Sequence, residues 1–194
     1  MNAKIAPLLI WFALALNAQG CAVAPQTVRL APQLQVAPSD VGRGALIGLD
    51  VNDARPNKKT GIIGDEKIKF VTVAAEDPSP SAVYREAADA LSKLGFRVEP
   101  ASDTSARVLR IELTALEYQS LKRPFTFDTE AKVTLAAVAR NDRDRFERRY
   151  EAEEMSTSGS PPSQSEVAHT INSQVSKALD DVLSDRQLIA LLAK

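Results

Sequence analysis

Few residues in this sequence have the type and spacing that chemistry needs, and the first of them is a thiol. Cys21 is the only cysteine. It stands in "LALNAQGCAVAPQ", where an apolar run gives way to polar sequence. A thiol there can accept an acyl group, but it has no second cysteine for a disulfide. Asp53 and Arg55, in "DAR", are two residues apart. On a strand that spacing puts both side chains on one face, where a carboxylate and a guanidinium can pair. The pair reads as a latch between a strand and the loop after it, or as a ligand-binding pair. His169 is the only histidine, which leaves little from which to build a metal centre or a catalytic triad. Gly61 and Gly64 in "TGIIGDEK" are followed by no Gly-Lys-Ser/Thr, so they read as loop rather than phosphate cradle. No serine sits in Gly-x-Ser-x-Gly, and the acidic "EAEE" lacks EF-hand spacing. The expectation is a protein that is not an enzyme and carries no metal or cofactor.

The surroundings of Cys21 give the thiol a role. Lys4 supplies a positive charge, and Ile5–Leu16 is almost wholly apolar. Such a run is shorter than the about 20 residues that span a bilayer, and it has the length of a signal-peptide core. Small and polar residues follow, then Gly20 and Cys21. This order resembles the lipobox of bacterial lipoproteins. The resemblance implies cleavage between Gly20 and Cys21 and a lipid, such as palmitate, on Cys21. Ala18 and Gln19 depart from the commonest lipobox residues. In lipoproteins of this type an aspartate directly after the cysteine often retains the protein at the inner membrane, and Ala22 is not aspartate. The implied location is the periplasmic face of the outer membrane, lipid-anchored.

The elements that follow must carry everything else. Residues 1–20 read as signal peptide and residues 21–43 as an acylated, proline-containing tether. Pro25, Pro32 and Pro38 oppose helix, and the stretch from Ala22 to Asp40, if extended, reaches roughly 60 Å at about 3.1 Å per residue. The rival reading is an edge strand around "TVRL". Residues 44–194 read as one domain. "ALIGLDVND" and "IKFVTVAA" alternate as strands. "DPSPSAVYREAADALSKLGF" reads as a helix capped by Ser79 or Ser81, with Val83, Ala87, Leu91 and Leu94 on one face and Gly95 at its end. "FRVEP", "RVLRIELTA", "TFDTEAKVTLAAVAR" and "RFERRYEAEE" read as further strands, with "NDRD" as a hairpin turn. Ser163 and Glu166 form a capping box for a second long helix striped by Val167, Ile171, Val175, Leu179 and Val182. A short helix, "SDRQLIALLAK", closes the chain. The fold class expected is α+β: a mostly antiparallel sheet of about five or six strands, wet on one face, with two main helices packed on the other.

The 194 residues are 44% apolar, 25% charged and 5% aromatic, with a formal net charge of −1. That balance suits a globular domain and gives no basic or aromatic footprint for nucleic acid. The stretch from Arg140 to Glu154 mixes five arginines with six acids, which suits a solvated strand face. The polar side of the sheet, including Arg110, Glu112, Lys132, Arg149 and Glu151, is the candidate docking face. The lipobox, "VRLAP", "LDVNDARPNKKTG", the mid-chain helix and the ending "INSQVSKALDDVLSDRQLIALL" are similar to the YajG family of bacterial lipoproteins. That family pairs an aspartate and an arginine around one residue, as Asp53 and Arg55 do here, and it supplies no catalytic residues. The expectation is a non-catalytic envelope lipoprotein whose partners are the membrane, through its lipid, and an envelope protein. The alternative is a lipid- or small-ligand-binding module with an apolar pocket between helices and sheet.

Overall fold

The structure, a computed structural model, describes residues 26–64, 71–76 and 80–194. The expected signal peptide, Gly20, Cys21 and Ser79 lie outside the described residues. Among those described are eight strands: β1 (Thr27–Arg29), β2 (Leu46–Asp53), β3 (Lys59–Gly64), β4 (Val71–Glu76), β5 (Arg97–Pro100), β6 (Val108–Lys122), β7 (Phe127–Arg140) and β8 (Arg145–Ser158). Three helices accompany them: α1 (Pro80–Lys93), α2 (Gln164–Ser184) and α3 (Arg186–Leu192).

The strands form one open sheet. Six follow the path β1-β4-β3-β6-β2-β5, and β7 and β8 extend it from the other side of β6. The sheet is mixed, not mostly antiparallel. Strand β2 lies parallel to both β5 and β6, β3 is parallel to β6, and β1 is parallel to β4. Only β3–β4 and the long meander β6–β7–β8 are antiparallel. The crossover is the reason. Helix α1 carries the chain from the β4 end back over the sheet, so β5 enters alongside β2 in the same direction. A wet face does not forbid this, because all three helices pack on the other face. Helix α1 packs on β2 and β5, α2 on β1, β7 and β8, and α3 on β7 and β8.

The local signals match these elements. Val83, Ala87 and Leu91 are the buried stripe of α1, and Gly95 takes the left-handed φ of +86° that ends it. Ser163 accepts from the Glu166 backbone while the Glu166 carboxylate accepts from the Ser163 backbone, closing the capping box of α2. Asn141 accepts from the backbones of Arg143 and Asp144 and shapes the β7–β8 turn. The core between helices and sheet is filled by Ile47, Leu49, Leu91, Leu109, Ile111, Leu135, Ile171, Leu179, Leu188 and Leu192, each under 2% exposed.

Two segments differ from the sequence expectation. "KTGIIG" is strand β3, not loop. Gly61 signals close approach rather than flexibility: a Cβ there would stand 1.8 Å from the Tyr118 carbonyl oxygen of the adjacent strand. The tether expected to run to residue 43 is, over its described part, docked on the domain, and its alternative reading, an edge strand around "TVRL", is β1 on the sheet edge. Val28 and Leu30 are buried, and Leu34 and Val36 pack against the core. Beyond β1 the chain crosses the helices as a strap whose amides find side-chain acceptors. The Ala31 amide donates to Asn172 Oδ1 at 2.7 Å, that of Gln33 to Ser176 Oγ at 2.9 Å and that of Leu34 to Glu86 Oε1 at 2.6 Å. Prolines at positions 32 and 38 suit a path with no ladder to donate into.

Candidate functional site

Strand β6 changes partners half-way along, and the Asp53–Arg55 pair sits where it does so. Residues Val108–Leu113 run beside β2, and Tyr118–Leu121 run beside β3. Between them β6 bulges near Leu113 and Ala115, which shifts its alternation by one residue. At the end of β2 the Ala54 amide still donates to the Leu113 carbonyl at 3.0 Å. The chain then leaves β6 and returns as β3. Arg55 spans that gap. Its Nε and Nη2 donate to the two carboxylate oxygens of Asp53, each at 2.9 Å. Its Nη1 reaches Thr60 Oγ1 on β3 at 3.5 Å. The Arg55 amide donates to Asp53 Oδ1 at 3.1 Å, and Lys58 Nζ lies 3.2 Å from Oδ2. The pair is a fork-on-fork ion pair. Arg55 is 2% and Asp53 9% exposed at the side chain. Burial pushes the Asp53 carboxyl up, but the hydrogen bonds from Arg55 and Lys58 outweigh it and hold the group below its ordinary value of 3.8. Through Asp53 and Thr60, Arg55 touches both the end of β2 and the start of β3.

The five residues of the expected docking face share one side of the meander. Glu112 stands across from Ala136, which stands across from Arg149. Arg110 is opposite Val138, one step along, and Glu151 is opposite Thr134. Lys132 bonds Glu151 at 3.2 Å, which raises the lysine pKa, and Arg110 bonds Asp50 of β2 at 2.8 Å. No described helix covers this side. Exposed pairs of this kind contribute about 0–1 kcal/mol each, so they matter more as a charged surface than as structure. Asp50, Glu117, Arg140, Arg145 and Glu147 adjoin them on the same face; of these, Glu117 was not placed there from sequence. Several concavities open on this face, one of them, of about 540 Å³, beside Leu121, Arg123 and Met155. Another, of about 470 Å³, is lined by Asp50, Arg110, Glu112, Arg140, Arg145 and Glu147, and a further one, of about 550 Å³, by Lys59, Glu117, Glu130 and Lys132 among others.

The opposite side of β8 is pinned. Asp185 caps α3, accepting from the amides of Gln187 and Leu188. It also takes a 2.7 Å bond from the Tyr150 hydroxyl and a 2.6 Å ion pair from Arg148. Burial and the adjacent carboxylate push the Tyr150 phenol well up, so it stays a donor. Arg148 thus belongs to the helix side, whereas Arg149, its chain neighbour, faces the open side. His169 is exposed on α2, beside Asn172 and the strap rather than near the charged face.

A family model described as uncharacterized lipoprotein matches residues 32–193. No curated protein matches. Among solved structures, protein XCC0632 from Xanthomonas campestris is 16% identical, covers 84% of this chain and 95% of its own, and superposes with a TM-score of 0.52. Lipoprotein GNA1162 from Neisseria meningitidis is 14% identical over 58% of this chain and 84% of its own, with a TM-score of 0.37. The first of these is a likeness of fold.

Proposed function

The chain belongs to the uncharacterized-lipoprotein family, and from that premise we propose that it is held by a lipid on Cys21 at the periplasmic face of the outer membrane, where it binds an envelope protein without catalysing a reaction. The lipobox order and the Asp-x-Arg segment support the finer likeness to the YajG lipoproteins. The observation that carries the binding role is the open face of the meander. Arg110, Glu112, Lys132, Arg149 and Glu151 lie together there, with every described helix on the other side. The alternative, an apolar pocket between helices and sheet, finds less support, because that space is occupied by side chains and the concavities above open on the charged face.

Two measurements test this reading. Intact-mass spectrometry of membrane-extracted protein should show loss of residues 1–20 and added acyl mass; an unmodified thiol on Cys21 would sink the anchor. For the face, Arg110→Glu, Glu112→Lys and Arg149→Glu are combined with the swap Lys132→Glu and Glu151→Lys. Exposed changes of this kind move stability by under about 0.5 kcal/mol each, and the swap preserves its ion pair. Crosslinking in intact envelopes should lose the partners captured by the unaltered protein. Retention of every partner by a folded variant overturns the binding face.

A further inference from the structure

Phe125 is 90% exposed. It sits in the β6–β7 turn, between Pro124 and Thr126, a turn closed by the Arg123 amide donating to the Thr126 carbonyl at 2.7 Å. Lys122 and Arg123 precede it, and Arg123 pairs with Asp128 at 3.0 Å. Close behind on the open face are Met155, 71% exposed, and the half-buried Leu121. The nearby Gly159–Ser163 connection carries no charge. An aromatic ring at a hairpin tip, backed by cations and a thioether, matches the interface of an anionic phospholipid surface, where the ring enters and the cations stay at the headgroups.

The place where the chain enters the domain points to the same surface. Thr27 stands beside Ala74, which stands beside Lys59. One β4 step further, Val73 is opposite Gly61, and Gly61 is opposite Tyr118. Thr27 is therefore level with about Glu117 on β6. Because β1 is parallel to β4, its N-terminal end faces the start of β4, which is the β6–β7 turn end of the sheet. From Glu117 to Lys122, where the turn begins, is about 17 Å at 3.3–3.4 Å per residue, and the turn adds to that. From Cys21 to Thr27 the chain spans at most about 20–22 Å, whatever its path. The two lengths match. A lipid on Cys21 and the Phe125 ring therefore reach one plane when the connection continues in the direction of β1, and a shorter connection seats the ring deeper.

We propose that the Phe125 turn is a second membrane contact, which inserts its ring into the phospholipid leaflet that holds the Cys21 lipid and so fixes the orientation of the domain. The proposal rests on the anchor reading above. The charged face then stands roughly along the membrane normal, and the opposite end, near Val41, points away from the bilayer.

The test imposes the anchor chemically, so its result does not depend on native acylation, which the intact mass measures separately. A chain of residues 21–194 contains every described element, one cysteine and no tryptophan, since the single tryptophan is Trp11. Phe125→Trp places one indole at the tip. Val41→Trp places one at the far end, where Val41 is 41% exposed beside the chain's approach to β2. Each variant is coupled through the Cys21 thiol to maleimide lipid in phosphatidylethanolamine–phosphatidylglycerol vesicles. The indole at position 125 should shift to the blue and lose most of its emission when the acyl chains are brominated, and the indole at position 41 should do neither. Solvent-like, unquenched emission from position 125 on the coupled protein overturns the proposal. So does equal quenching at both positions, which reports adsorption without orientation.

Discussion

Asp53→Ala should be the most damaging single substitution of a polar residue in the domain. It leaves the Arg55 guanidinium at 2% exposure with a 3.5 Å contact to Thr60 and no carboxylate. Breaking a buried pair by removing one partner costs about 3–5 kcal/mol. In a protein of this size that corresponds to a melting-temperature loss of about 6–20 °C, at about 2–4 °C per kcal/mol. The double variant Asp53→Ala/Arg55→Met should recover much of the loss, because it removes the stranded charge along with its partner. Thermal unfolding of these three proteins and of Arg55→Met completes the cycle and gives the coupling. Acid gives a second readout. The folded Asp53 carboxyl titrates below 3.8, so its contribution is present above that value and is lost as pH falls through the lower folded value. The unaltered protein should lose stability below about pH 4 more steeply than the double variant. A single variant that melts with the unaltered protein means the fork in the sheet does not depend on the latch.

The pairing of Asp53 with Arg55 was legible in sequence because two opposite charges at strand spacing carry their own explanation. Much of the fold was legible for the same reason. The stripes of α1 and α2, the capping box at Ser163 and the turn at Asn141 are local signals, and local geometry satisfies them. The rest is set by contacts distant in sequence. Alternation in β6 places Leu109, Ile111 and Leu113 inward, but beyond the bulge the inward residues are Leu116, Tyr118 and Ser120. A period-two reading therefore loses the strand at Ala115 and misses its second half. The parallel pairings of β2 and β3 with β6 have no signature in either partner, since parity fixes which face a residue takes and not which strand lies beside it. The open face was readable as polar, yet Phe125 was not readable as its tip, because a turn phenylalanine differs from a core one only in what surrounds it. The docked strap was hidden behind its prolines. They do exclude helix, but extended chain packs on a domain as readily as it leaves one.

That strap sets the other large expected effect. A chain beginning at residue 41 should fold poorly, whereas one beginning at residue 26 should unfold in a single cooperative transition. The shorter chain loses Val28 and Leu30, at 0% and 4% exposure. Burying such side chains contributes about 1.5–3 kcal/mol each, so the two together amount to about a fifth or more of the about 5–15 kcal/mol that holds a typical domain. It also loses β1, which leaves the β4 edge unpaired on that side. Asn172, Ser176 and Glu86 lose the amides they accept from, but they lie near solvent and rehydrate at little cost. Val28 and Leu30 are the buried core side chains of this segment, so removing only those should mimic removing all of it. Val28→Ser/Leu30→Ser in the full domain should therefore bind a hydrophobic dye and broaden the thermal transition, as the truncation does. If the chain from residue 41 is instead soluble, dye-free and cooperative, the strap is an accessory laid over a complete core. The domain could then peel away from β1, and under the proposed Cys21 anchor the limit of about 20–22 Å between Cys21 and Thr27 would no longer set its distance from the membrane.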